Sequence, residues 1–211
     1  MRAWWLVGPV VVCLSGVACS SSKDAPSAEA PPDCTETDGV PPVDLECTGL
    51  YSDWKTKTLS ADAKEFSPAI ELFVDGADKT RWISMPAGSK IDTSDMNDWK
   101  FPAGTKVWKE FRIGGKKIET RLFYKQASGR WVWGAYVWKA DLSRAPFSRD
   151  GVKNIVDTYE IPDAQGCDKC HRGRGEKILG FEAVSLGLPG AKGITLDMLK
   201  SQGLLSAPPA S

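Results

Sequence analysis

Residues 167–171 read CDKCH, and His171 is the single histidine of the 211-residue chain. Three chemistries use two thiols spaced in this way: covalent haem attachment, thiol–disulfide exchange and zinc binding. Haem attachment accounts for every letter. Two cysteines three apart on one helical turn point to the same side and can form thioethers with the two vinyl groups of a haem. The next residue then offers its imidazole to the iron as proximal ligand. Thiol exchange expects a thioredoxin-like βαβ setting, whereas the region upstream is β-rich and the residues that follow break into RGRG. A structural zinc site normally takes four protein ligands, and this chain offers Cys, Cys and His at most, plus a carboxylate. A disulfide between Cys167 and Cys170 is sterically awkward across so short a loop and leaves His171 without a role. The motif therefore predicts one covalent haem c, with Cys167 and Cys170 as thioether sulfurs and His171 as the proximal axial ligand.

The far side of the iron is less determined. A sole histidine excludes bis-histidine ligation within the chain. Met85, Met96 and Met198 are the methionines beyond the first residue. Met198, past a Gly/Pro-rich loop, is the best thioether candidate for a sixth ligand. Its competing role is to fill an apolar face beside Leu196, Leu199 and Leu204, a common use of methionine. If no methionine binds, the iron is five-coordinate or takes Lys, water or a partner's ligand. Arg172 and Arg174 can pair with haem propionates or stand solvated on a glycine-broken loop; the solvated reading is preferred.

The compartment follows from the start of the chain. MRAWWLVGPVVVCLSGVAC has a positive charge at Arg2 and then a short apolar run ending in small residues. That is a secretory signal over residues 1–18, too short for a spanning helix. LSGVAC resembles a bacterial lipobox, which makes Cys19 a lipidation site, with plain cleavage after Ala18 as the alternative. Ser20 after that cysteine resembles outer-membrane sorting in a Gram-negative envelope. Residues 19–44 begin with a Ser/Ala/Pro-rich stretch that cannot bury enough surface to order itself, so they read as a lipid-anchored flexible linker. In that oxidising compartment Cys34 and Cys47 are expected to close a Pro/Gly loop as a disulfide.

Loss of residues 1–18 removes Arg2 and no acid, leaving one fewer base than the 27 acidic residues. Interspersed, nearly balanced charge gives no drive toward nucleic acid, and it leaves the lipid anchor as the route to the membrane. Residues 45–160 carry short runs rich in Trp, Tyr, Phe, Val and Ile, separated by turn residues about every ten positions, as antiparallel sheets do. In KVWKEFRI, Val107, Phe111 and Ile113 share one parity, while Trp108 and Glu110 share the other. Gly114–Gly115 and Ser128–Gly129 read as hairpin turns. The expected fold is mainly β, an antiparallel β-sandwich or open barrel of six to eight strands. Residues 161–205 change to short helical pieces between glycines, with Thr195 capping a helix LDMLKSQ and Gly203 closing it. That segment is too small for its own core and must pack on the β-domain or a prosthetic group. Residues 206–211 are a tail.

LFVDGADKTRWISMPAG, FPAGTKVWKEF, IETRLFYK and AYVWK, followed by CxxCH and LGF, together resemble a widespread group of bacterial c-type haem-binding, cytochrome c-like envelope lipoproteins. The resemblance covers roughly residues 48–205. It implies a β-rich domain followed by a short haem segment, a mono-haem protein of the cell envelope, and no particular substrate. In that group the positions of Met85 and Met198 are commonly Leu, which weakens a methionine ligand.

The leading expectation is electron transfer with redox protein partners in the envelope, by a protein lipid-anchored at the outer membrane and facing the periplasm. A haem-based sensor or ligand-binding protein with an open iron site is the first alternative. The second is a carbohydrate- or peptide-binding β-module with an accessory haem, suggested by nine tryptophans, although buried aromatics are the commoner use. An enzyme has little support. Asp75, Asp78, Glu110 and Glu119 show no pairing by spacing, and the chain has no phosphate-cradling loop and no GxSxG.

Overall fold

A computed structural model describes residues 29–71, 76–173 and 175–209. The expected signal, the lipid site Cys19, Asp75 and Arg174 lie outside the described residues. Among the described residues no helix is long and apolar enough to cross a membrane.

The fold is mainly β, as the strand-and-turn texture requires. The strands are β1 (Tyr51–Asp53), β2 (Thr58–Leu59), β3 (Lys64–Ser67), β4 (Asp78–Ser84), β5 (Lys106–Ile113) and β6 (Lys116–Lys125), then β7 (Trp131–Val137), β8 (Phe147–Ser148), β9 (Val152–Val156), β10 (Tyr159–Ile161) and β11 (Lys192–Gly193). The helices are α1 (Ala164–His171), α2 (Ala183–Gly187) and α3 (Leu196–Ser201). Seven strands form one antiparallel sheet in the order β11-β3-β4-β5-β6-β7-β8, and β1-β2 and β9-β10 form two small antiparallel ribbons. The large sheet is open, with β11 and β8 as its edges. It is not a closed barrel.

The turns form where the glycines predict them. Gly114 and Gly115 both have positive φ (55° and 77°), the conformation a two-residue turn between right-twisted strands needs. At the next turn Gly129 N donates to Gln126 O, and Gln126 N donates to Arg130 O, closing β6 onto β7. The register then sorts the side chains. Trp82, Trp108 and Leu122 lie opposite one another on one face, and Ile83, Val107 and Phe123 on the other. Both parities are buried, so the sheet is covered on both sides. One face packs Leu45, Leu50, Trp82, Trp108, Tyr136 and Trp138. The other packs Phe66, Ile83, Val107 and Phe123 against Cys167, Ile178, Phe181, Leu186, Leu199 and Leu205 of the C-terminal segment. A third cluster, including Phe111, Tyr159 and Ile161, covers the end of this second face under the β9-β10 ribbon.

The C-terminal segment therefore has no core of its own and borrows the sheet's, as its size dictates. Phe181 is the joint: 1% exposed, it meets Phe66 edge-on at 4.8 Å and lies 6.0 Å from Phe101. Thr195 caps α3 through the Met198 amide, and Gly203 (φ 65°) follows its end.

The folded unit begins earlier than residue 45. The Cys34–Cys47 disulfide is formed, Gly39 N donates to Gln126 Oε1 at 2.6 Å, and the Tyr124 hydroxyl donates to Glu36. Asp44 is fully buried and paired with Arg144 at 3.0 Å. Composition marked 19–44 as linker, but long-range polar contacts tie 33–44 to β6 and to the loop before β8. The tail is likewise tied down at its start, where Thr93 Oγ1 donates to Ala207 O.

Phe181→Ala should lower the unfolding free energy by about 3–5 kcal/mol, read by urea denaturation. The Cys34→Ser, Cys47→Ser pair should lower it by about 3 kcal/mol in the same measurement.

Candidate cofactor site around Cys167, Cys170 and His171

The CDKCH motif occupies the last five residues of α1. Asp163 starts the helix by accepting from Gly166 N at 2.6 Å, and a side chain at 166 would crowd Pro162. Trp133 Nε1 donates to Ala164 O at 3.1 Å, fastening the first turn of α1 to β7. These contacts hold the motif over the second face of the sheet.

Cys167 and Cys170 are both free thiols, the first buried and the second exposed. They line one cleft together with His171, Lys177, Ile178 and the sheet residues Phe66 and Phe123. Its enclosed space is small, about 70 Å³, below the ~300–1,000 Å³ of a cleft that encloses a ligand. The inner part is narrow because the His171 ring stacks on Phe123, with centroids 4.2 Å apart.

The imidazole is oriented. His171 Nδ1 lies 2.5 Å from the Lys177 carbonyl oxygen. A carbonyl only accepts, so Nδ1 carries the proton and Nε2 keeps its lone pair. Burial drives the imidazole's pKa down to about 4, so the ring is neutral near pH 7. Lys177 turns its carbonyl toward the ring from a left-handed backbone (φ 58°), and its Nζ reaches back to Asp168 Oδ1 at 3.0 Å. A metal-binding histidine commonly has this arrangement, one nitrogen held by a carbonyl and the other free to donate. Burial also pushes the Cys167 thiol up to about 11, so it remains protonated.

The residues present fit a covalently attached porphyrin: two unpaired thiols one turn apart, and a neutral imidazole with a free Nε2. Among the described residues no group of three His, Cys, Asp or Glu converges as a zinc site requires. Met198 is not brought to this cleft. It is 41% exposed on α3 and lines a separate cleft with Met85, Ile194 and Leu204, because its helix uses Leu199 to reach the core. Arg172 is exposed.

The sheet contributes what motif reading misses. Arg81, Lys109 and Arg121 lie directly opposite one another on β4, β5 and β6 and line the same cleft. Burial, with Arg81 and Arg121 beside it, pulls Lys109 down to about 7. Each cation has the parity of apolar core neighbours in its own strand, a signal present in the sequence, but their convergence depends on register.

The described tryptophans are buried or half-buried; none forms an exposed platform for sugars. Glu110 is held by Arg112, Lys117 and Tyr51, and Glu119 by Arg121 and Tyr159. These carboxylates are structural partners. Comparisons with protein-family models, with curated proteins and with solved structures returned no match.

In the haem-free chain Cys170 should be alkylated at least ~10-fold faster than Cys167, since the thiolate reacts and burial suppresses it. Timed iodoacetamide labelling followed by peptide mass spectrometry measures the ratio.

Proposed function

We propose that this chain is a c-type cytochrome-like protein that holds one haem through Cys167 and Cys170, with His171 as proximal ligand. The particular role is electron transfer in the cell envelope, by a lipoprotein anchored at Cys19 and exchanging electrons with redox protein partners. The observation that carries the haem assignment is the oriented, neutral imidazole next to two unpaired thiols in one cleft. Bound there, the haem would supply reversible one-electron chemistry. The residues of the chain hold it, fix the imidazole tautomer through Lys177 O, and exclude water with Phe66, Phe123 and Ile178. Cys170 is exposed, so a group bonded to its sulfur has an edge at the surface, within reach of a docking partner. Small, weak contacts suit such transient encounters.

The described lining of the cleft includes no methionine. That favours, as a second reading, an iron open to a small ligand on its far side. Carbon monoxide decides between the two: fast binding to the reduced protein supports the ligand-binding role, and slow or no binding supports electron transfer.

Produced with the c-type maturation machinery, the protein should carry one haem that survives acid-acetone extraction. The Cys167→Ala, Cys170→Ala pair should carry none. A colourless wild type with both thiols titratable would end the assignment. Met198→Ala should leave the visible spectrum unchanged in both redox states.

A further inference from the structure

The three cations at the floor of the cleft are unequally answered. Arg121 is neutralised by Glu119, which accepts from its Nε at 3.0 Å and its Nη2 at 2.6 Å. Arg81 is 5% exposed, and its buried Nε and Nη2 have no acceptor. Lys109 stands between the two guanidinium groups, and among the described residues nothing offers it an acceptor or an ion pair. Like charges directly opposite on neighbouring strands repel, and a buried charge without a partner is strongly destabilising. The neighbouring groups do not relieve this. Lys177 after α1 is paired with Asp168, Tyr159 is committed to Glu119, and Glu71 attracts Arg81 only from an exposed position. The buried guanidinium of Arg81 and the half-buried amine of Lys109 are left facing the same cleft as Cys167, Cys170 and His171.

We propose that Arg81 and Lys109, backed by Arg121, form a carboxylate-binding site whose occupants in the matured protein are the two propionates of the porphyrin. The proposal rests on the haem reading above. It matches two unanswered cations to two carboxylates on one rigid group, and Arg81 supplies a guanidinium whose free N–H donors suit a carboxylate. It also explains why the sheet tolerates a row of like charges: the row is completed by the ligand.

The test is a reversal of sign. Lys109→Met keeps most of the unbranched side chain and removes its charge. In the full chain made without maturation machinery it should raise the melting temperature, and in the haem-loaded protein it should lower it, by roughly 2–4 °C in each direction. Arg81→Met should reverse in the same way, so that misfolding of one variant leaves the other to decide. Infrared spectra of wild type carrying haem labelled with 13C at its carboxyls give a reading independent of substitution, with ion-paired carboxylate bands expected. Shifts of one sign in both forms, or labelled bands typical of solvated carboxylates, would overturn the proposal while covalent haem stayed demonstrable. Wild type without covalent haem would remove the haem reading itself, and this site with it. Uptake of inorganic phosphate by haem-loaded wild type, lost in Lys109→Met, would assign the row to a free oxyanion and overturn the propionate assignment.

Discussion

A β-sheet with large apolar side chains on both faces must be covered on both faces, and this constraint organises the molecule. Trp82, Trp108 and Leu122 on one side, and Ile83, Val107 and Phe123 on the other, leave no face that water can wet without a large hydrophobic penalty. The N-terminal segment and the loop before β8 cover the first side. The second side is covered by the segment after β10, which is too short to fold by itself. The CDKCH helix is therefore held by the sheet and cannot keep its position without it.

That arrangement gives the motif its chemistry. A CxxCH on a free helix would be two solvated thiols and an ordinary histidine. Pressed against Phe123, with Lys177 O at Nδ1, His171 becomes a neutral donor with one nitrogen available. Cys167 is buried as part of the core while Cys170 stays at the surface. The same packing imposes a difficulty: it brings α1 over a row of cations that the sheet itself only half neutralises. A cofactor carrying two carboxylates would resolve that conflict, and stability and cofactor binding would then be one problem.

The carboxylates show how burial separates structural from functional acids. Glu110 and Glu119 are both fully buried, and each has at least two partners, including a cation and a tyrosine hydroxyl. Buried acids paired in this way stabilise strand register. In contrast, the guanidinium of Arg81 has buried N–H groups with nothing to receive them. That incomplete group faces a cleft.

Local chemistry was legible from the chain alone: the mainly-β texture, the hairpin at Gly114–Gly115, the cap at Thr195, the Cys34–Cys47 pairing, and the thiols and imidazole of residues 167–171. Each depends on spacing within a few residues or on residue type. The tertiary structure decided what depends on register and long-range contact. It carried Met198 to a different cleft from His171, drew residues 33–44 into the folded unit through Asp44 and Glu36, and aligned Arg81, Lys109 and Arg121 from three strands. Spacing along a chain specifies a turn or a helical face. Only the pairing of strands brings residues 40 positions apart into one row.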